Sequence, residues 1–197
     1  MKVVIGTSHD VMLDVRSTMP RYVAFLRAIN VGGRTVRMDA LRKCFEEWGG
    51  TNVETFIASG NVVLDSSRRN AEGAELAIED HLRHALGYPV VTFLRTVPEL
   101  AAIAAHAPFP QEEVDRGARL YVAFMKAAPG PSVRRAVVAL RNDLDDFTIE
   151  GREMYWLRRS QLMQSIAAGP SIEKVVGSPM TVRNINTVRR LATKYCG

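Results

Sequence analysis

Three short stretches collect the side chains best suited to hold a ligand. Arg27 and Asn30 lead into Gly32 and Gly33, Ser59, Gly60 and Asn61 follow one another, and Arg183, Asn184, Asn186 and Thr187 form a third group. These are guanidinium, amide, hydroxyl and bare backbone groups, with no carboxylate or histidine among them. General acid–base catalysis needs a group that titrates near neutral pH, and none here does. The set therefore suits binding better than bond-making, and no catalytic residue is assigned. Ser59 has a nucleophile's hydroxyl but sits in a turn with no histidine placed to activate it. Whether the protein is an enzyme stays open, since Asp39, Glu54 or Asp65 could supply an acid–base group from neighbouring loops and no spacing selects one.

Two backbone features point towards an anion. Gly32 and Gly33 can turn successive N–H groups into a concave nest. Asn184 is suited to cap a helix whose free N–H groups and dipole favour negative charge, and Arg183 is its neighbour. The expected ligand is an anionic small molecule or nucleotide, with Arg183→Ala removing binding and leaving the melting temperature nearly unchanged. The same residues also fit a local role, in which Asn30 and Asn61 tie loops, the glycines satisfy turns and Asn184 only caps. Neither glycine pattern is a Walker loop or a dinucleotide fingerprint.

The net charge of +5 and pI of about 9.5 attract anions weakly. The arginines fall in scattered pairs such as Arg134-Arg135 and Arg158-Arg159 rather than in a basic run, so nucleic-acid binding is the weaker alternative. A non-catalytic protein-interaction module is the third reading. Tyr121, Phe124, Tyr155 and Trp156 could stack bases on a sheet, but the stretch Asn61-Val62-Val63-Leu64 lacks the aromatics of RNA-binding strands. The four histidines and the cysteines Cys44 and Cys196 show no metal-ligand spacing, and nothing calls for a cofactor. No apolar run approaches the ~18 residues of a membrane span. With no signal-peptide core at Val3-Val4-Ile5 and no disulfide framework, a cytoplasmic protein without a membrane partner is expected. The oligomeric state is not legible.

The elements that must position these groups are announced by a repeat. Tyr22-Val23-Ala24-Phe25-Leu26-Arg27-Ala28 returns as Tyr121-Val122-Ala123-Phe124-Met125-Lys126-Ala127, with five identities and two conservative exchanges. Arg21 to Ala28 reads as a buried strand. Met38, Leu41, Phe45 and Trp48 recur at helical spacing up to Gly49-Gly50. Val53 to Ala58 and Val62 to Asp65 flank the turn at Ser59-Gly60-Asn61. Ala74, Ile78, Leu82 and Ala85 mark a second helix ending at Gly87, and Pro89 to Thr96 reads as a fourth strand. A connector helix begins near Pro98. The second copy then runs from a strand at Arg119 to Lys126, through a helix with Val133, Val137 and Leu140 and strands at Phe147 to Glu150 and Met154 to Leu157, to a last helix carrying Ile185, Val188, Leu191 and Tyr195.

The order β-α-β-β-α-β is the split βαβ unit. The chain is thus expected to be α+β, with two ferredoxin-like (α/β plait) units with antiparallel sheets related by internal duplication. The expected division is an extension over 1–18, a first unit over 19–97 and a second over 98–197, containing the connector and last helices. Parallel first and second strands would bring Asn30, Gly32 and Gly33 near Ser59, Gly60 and Asn61.

Phe25-Leu26-Arg27-Ala28-Ile29-Asn30-Val31-Gly32-Gly33, Ser59-Gly60-Asn61-Val62-Val63 and Thr181-Val182-Arg183-Asn184-Ile185-Asn186-Thr187-Val188 together resemble the bacterial family filed as domain of unknown function 1697, from about Met19 to Tyr195. The resemblance implies paired ferredoxin-like units and no activity. The family usually has glycine where this chain has Ala28, and an aromatic where it has Ile185.

Overall fold

The computed structural model describes residues 19–30, 33, 35–57, 60–159 and 170–196. The expected extension over 1–18, Gly32 and Ser59 lie outside them.

The repeated apolar stretch becomes the inner strand of each sheet. β1 (Arg21–Leu26) is flanked by β3 (Asn61–Asp65) and β4 (Thr92–Thr96), with β2 (Thr51–Thr55) outside β3, giving the order β2-β3-β1-β4 with antiparallel pairs throughout. β5 (Arg119–Met125) sits likewise between β7 (Glu153–Arg158) and β8 (Met180–Asn184), with β6 (Asp145–Glu150) outside, in the order β6-β7-β5-β8. These are two four-stranded sheets of the split βαβ type, as expected.

Each inner strand is apolar on both faces because both are covered. Tyr22, Ala24 and Leu26 face α1 (Met38–Glu47) and α2 (Ala71–Leu86), while Val23 and Phe25 face the other sheet. Ala123 and Met125 face α5 (Pro131–Val138) and α6 (Pro170–Val176), while Val122 and Phe124 face back. The rings of Phe25 and Phe124, equivalent in the repeat, stack with centroids 3.9 Å apart. α3 (Val97–Ala105) and α7 (Ile185–Tyr195) follow β4 and β8 directly, and their Leu100, Ile103, Val188 and Leu191 complete this central core. A short α4 (Gln111–Asp115) precedes β5.

Local chemistry sets the ends. α1 stops at Gly49, whose φ is +105°, and at Gly50, where a Cβ would lie 2.9 Å from the Phe45 carbonyl oxygen. Asn70 accepts from the Glu72 N–H to start α2, and Gly87 closes it with φ +78°. Thr96 and Glu99 form a capping box at the start of α3.

The sequence reading placed no strand over Thr181 to Asn184, where β8 runs. Thr181 and Arg183 occupy the inward-facing positions of that strand, opposite Phe124 and Val122, so its alternation carries polar residues where a hydrophobic signal is sought. The strand before the first turn also ends earlier than Ala58. It stops at Thr55, ahead of Ile57 at φ +50°.

Candidate functional site at the seam between the sheets

Arg183 joins all three sequence motifs. From β8 its side chain crosses to the first sheet, where Nε donates to Asn61 Oδ1 (2.7 Å) and Nη2 donates to the carbonyls of Leu26 (2.8 Å) and Gly60 (3.3 Å). Nη1 donates to Thr181 Oγ1 and the Val182 carbonyl, both at 2.9 Å. All five N–H groups are thus used within the protein. The residue is only 9% exposed, its guanidinium lies over the Phe25 ring, and burial lowers its pKa to about 10. Among the described residues the acceptors are an amide, a hydroxyl and three backbone carbonyls.

The other direction of the seam repeats this geometry. Arg95 pairs with Val23 across β1–β4 as Arg183 pairs with Val122 across β5–β8, and it reaches into the second sheet. Its Nη2 donates to the carbonyls of Met125 (2.9 Å) and Arg152 (3.3 Å), the counterparts of Leu26 and Gly60, and its guanidinium lies over Phe124. Where Arg183 meets Asn61, Arg95 meets Glu153, with Nε 2.5 Å from Oε1. Both Asn61 and Glu153 open the third strand of their unit, opposite Phe25 and Phe124. Burial lowers the Arg95 pKa, against the pull of the Glu153 carboxylate. Reciprocal contacts of this kind mark an isologous interface, here within one chain. Arg27 and Lys126 extend it. Arg27 pairs with Glu173 of α6 at 2.9 Å, while Lys126 pairs with Glu75 (3.0 Å) and Glu79 (2.6 Å) of α2 and donates to the Thr92 carbonyl.

The remaining motif residues are arranged around this seam. Gly60 sits at φ +71° with Ile29 Cγ2 only 2.6 Å from where a Cβ would be, so the hairpin and the exit of β1 do meet. Asn61 is fully buried and its Nδ2 donates to the Phe56 carbonyl at 3.0 Å. Asn30 Oδ1 accepts from the Val36 N–H at 2.7 Å, holding the loop after β1. Gly33 has φ +80° and open space around it. Asn184 caps α7, its side chain accepting from the Asn186 N–H. Asn186 is exposed and Thr187 half-buried on the first turn of α7. Among the described residues no cluster of His, Cys, Asp and Glu could hold a metal ion, and no helix is long and apolar enough to cross a membrane.

Sequence reading missed Arg95 and Glu153. A signal existed, because Arg95-Thr96-Val97 parallels Arg183-Asn184-Ile185 at the same strand-to-helix junction. It also missed Arg190, which leaves the exposed face of α7 and lies over the Phe56 ring at 5.4 Å.

Comparison with known proteins follows the same lines. The profile of a family described as "Protein of unknown function (DUF1697)" matches residues 19–155, ending before the third motif. The structure of the conserved bacterial protein SP0830 from Streptococcus pneumoniae is similar, with a TM-score of 0.62 and 23% identity over 91% of this chain and 99% of that one. At that identity the likeness concerns the fold. No curated protein matches significantly.

Proposed function

The chain belongs to the DUF1697 family of unknown function, and from the geometry of its seam we propose that it is a binding protein for an anionic small molecule or nucleotide. The observation that carries this reading is the polar and cationic rim on α7, where Asn186, Thr187 and Arg190 lie beside the β2–β3 hairpin. Behind it, buried Arg183 donates to Asn61 and to the Leu26 and Gly60 carbonyls, and burial lowers its pKa to about 10. Positive charge gathered on one side of the seam projects a field that favours an anion nearby.

Arg183 acts through that field rather than by touching the ligand, because its donors are already used. Contact falls to groups on the rim. Asn186 and Thr187 present an amide and a hydroxyl on the first turn of α7, whose N–H groups and dipole also favour negative charge. Arg190 follows on the same helix beside the β2–β3 hairpin, with Gly60 and Asn61 behind it. Asn184 secures the helix start, and Arg27 and Asn30 hold the neighbouring loop through Glu173 and Val36.

The test is amide-shift titration of the full chain with inorganic phosphate and with adenosine monophosphate at low salt. Shifts should centre on Gly60, Asn186, Thr187 and Arg190, and Arg190→Gln should weaken the apparent affinity roughly tenfold, about 1.4 kcal/mol. If neither compound moves those amides at ~10 mM, far above the Kd of a useful site, the anion reading is wrong.

A further inference from the structure

We propose a second, independent binding site, for a small organic cation carrying a primary ammonium group and a flat apolar body, in the cleft between α3 and the β6–β7 hairpin. The cleft has a volume of about 320 Å³, and Glu99, His106, Glu150, Arg152, Glu153 and Tyr155 line it. That volume is at the lower end of small-molecule sites, ~300–1,000 Å³.

Two observations meet in the cleft. The first is Tyr155, whose side chain comes from the inward face of β7 and is 2% exposed. Its hydroxyl has no hydrogen-bond partner among the described residues and, since the residue lines the open cleft, is free to meet a ligand there. The second is an imbalance of charge. Glu99, Glu150 and Glu153 stand against Arg95 and Arg152, one carboxylate in excess. Glu99 is engaged by Arg152 and by its cap on Thr96, and Glu153 Oε1 by Arg95. Glu150 is exposed and has no ion pair among the described residues.

The rings of Tyr155 and His106, with centroids 4.8 Å apart, form an aromatic wall, and Ile103 from α3 adds apolar surface. An ammonium group is satisfied here by the Glu150 carboxylate and by the oxygen of the Tyr155 hydroxyl, while a flat apolar body rests on the rings, a contact that cations favour. Burial and the nearby Glu153 and Glu150 carboxylates raise the Tyr155 pKa, which keeps the hydroxyl neutral. The site is the counterpart of the α7 side of the seam with the opposite sign of charge, and it stands or falls independently of the anion reading.

The experiment titrates the full chain at neutral pH with 2-phenylethylamine, a protonated amine, and with 3-phenylpropionate, an anion of similar size, following the amides of Ala102, Gly151 and Glu153. The amine should shift them and the carboxylate should not. Tyr155→Phe and Glu150→Gln should each weaken the amine roughly tenfold, the value of one hydrogen bond to a charged group. Glu150 is exposed, so its variant tests the site even if Tyr155→Phe disturbs packing. Absence of amine binding, equal binding of the two compounds, or amine binding unchanged by Glu150→Gln would overturn the proposal.

Discussion

Replacing Arg183 by methionine keeps much of the side-chain stem and removes five donors. Gly60 keeps a partner, since its carbonyl also accepts from the Leu26 N–H at 2.8 Å. Among the described residues the Leu26 carbonyl retains a 3.4 Å contact from Thr181 Oγ1, and buried Asn61 loses the Arg183 donor to its Oδ1. Two buried groups whose hydrogen bonding is weakened in this way cost about 1–3 kcal/mol each. Removing a charge that is costly to bury, as its lowered pKa records, offsets part of this. A net loss of about 3 kcal/mol follows, and at ~2–4 °C per kcal/mol for a chain of this size the melting temperature should fall by roughly 6–12 °C. Calorimetry or urea unfolding measures it, and a double-mutant cycle with Asn61→Leu should give a coupling of about 1–2 kcal/mol. A variant melting within ~2 °C of the parent would refute the reasoning and return Arg183 to the purely ligand-binding role expected from the sequence.

Arg95→Met should be at least as damaging at pH 7, by ~3–5 kcal/mol, because it leaves the Glu153 carboxylate buried without its cation. Melting curves of the two variants compare them, and an Arg95→Met loss below ~1 kcal/mol would count against a buried ion pair at that position. Ala28 sits at φ +56°, a conformation that costs a non-glycine residue ~1–2 kcal/mol. Ala28→Gly should therefore raise the melting temperature by ~2–4 °C, and a fall would show that the loop relaxes around alanine.

The reciprocal arginines tie the two sheets together. Each sends a guanidinium across the stacked Phe25 and Phe124 rings to carbonyls at the end of the other's inner strand. Buried polar contacts of this kind fix register more than they add stability. The exchange of Glu153 for Asn61 between the halves gives the two sides of the seam different charge.

Local chemistry made much of the fold legible. The repeat at Tyr22 and Tyr121, the stripe from Met38 to Trp48, and the turn and cap residues Gly60, Gly87 and Asn184 act over a few residues, so their types alone specify strands, helices and ends. The role of Arg183 was not legible. A basic residue in an alternating stretch reads as solvent-facing, and β8 itself was hidden because Thr181 and Arg183 fill its inward positions. The acceptors that make that burial tolerable, Asn61 and the Leu26 carbonyl, lie 122 and 157 residues away in sequence. Only the docking of one sheet on the other brings them within reach, because a buried charge persists where tertiary packing supplies its hydrogen bonds.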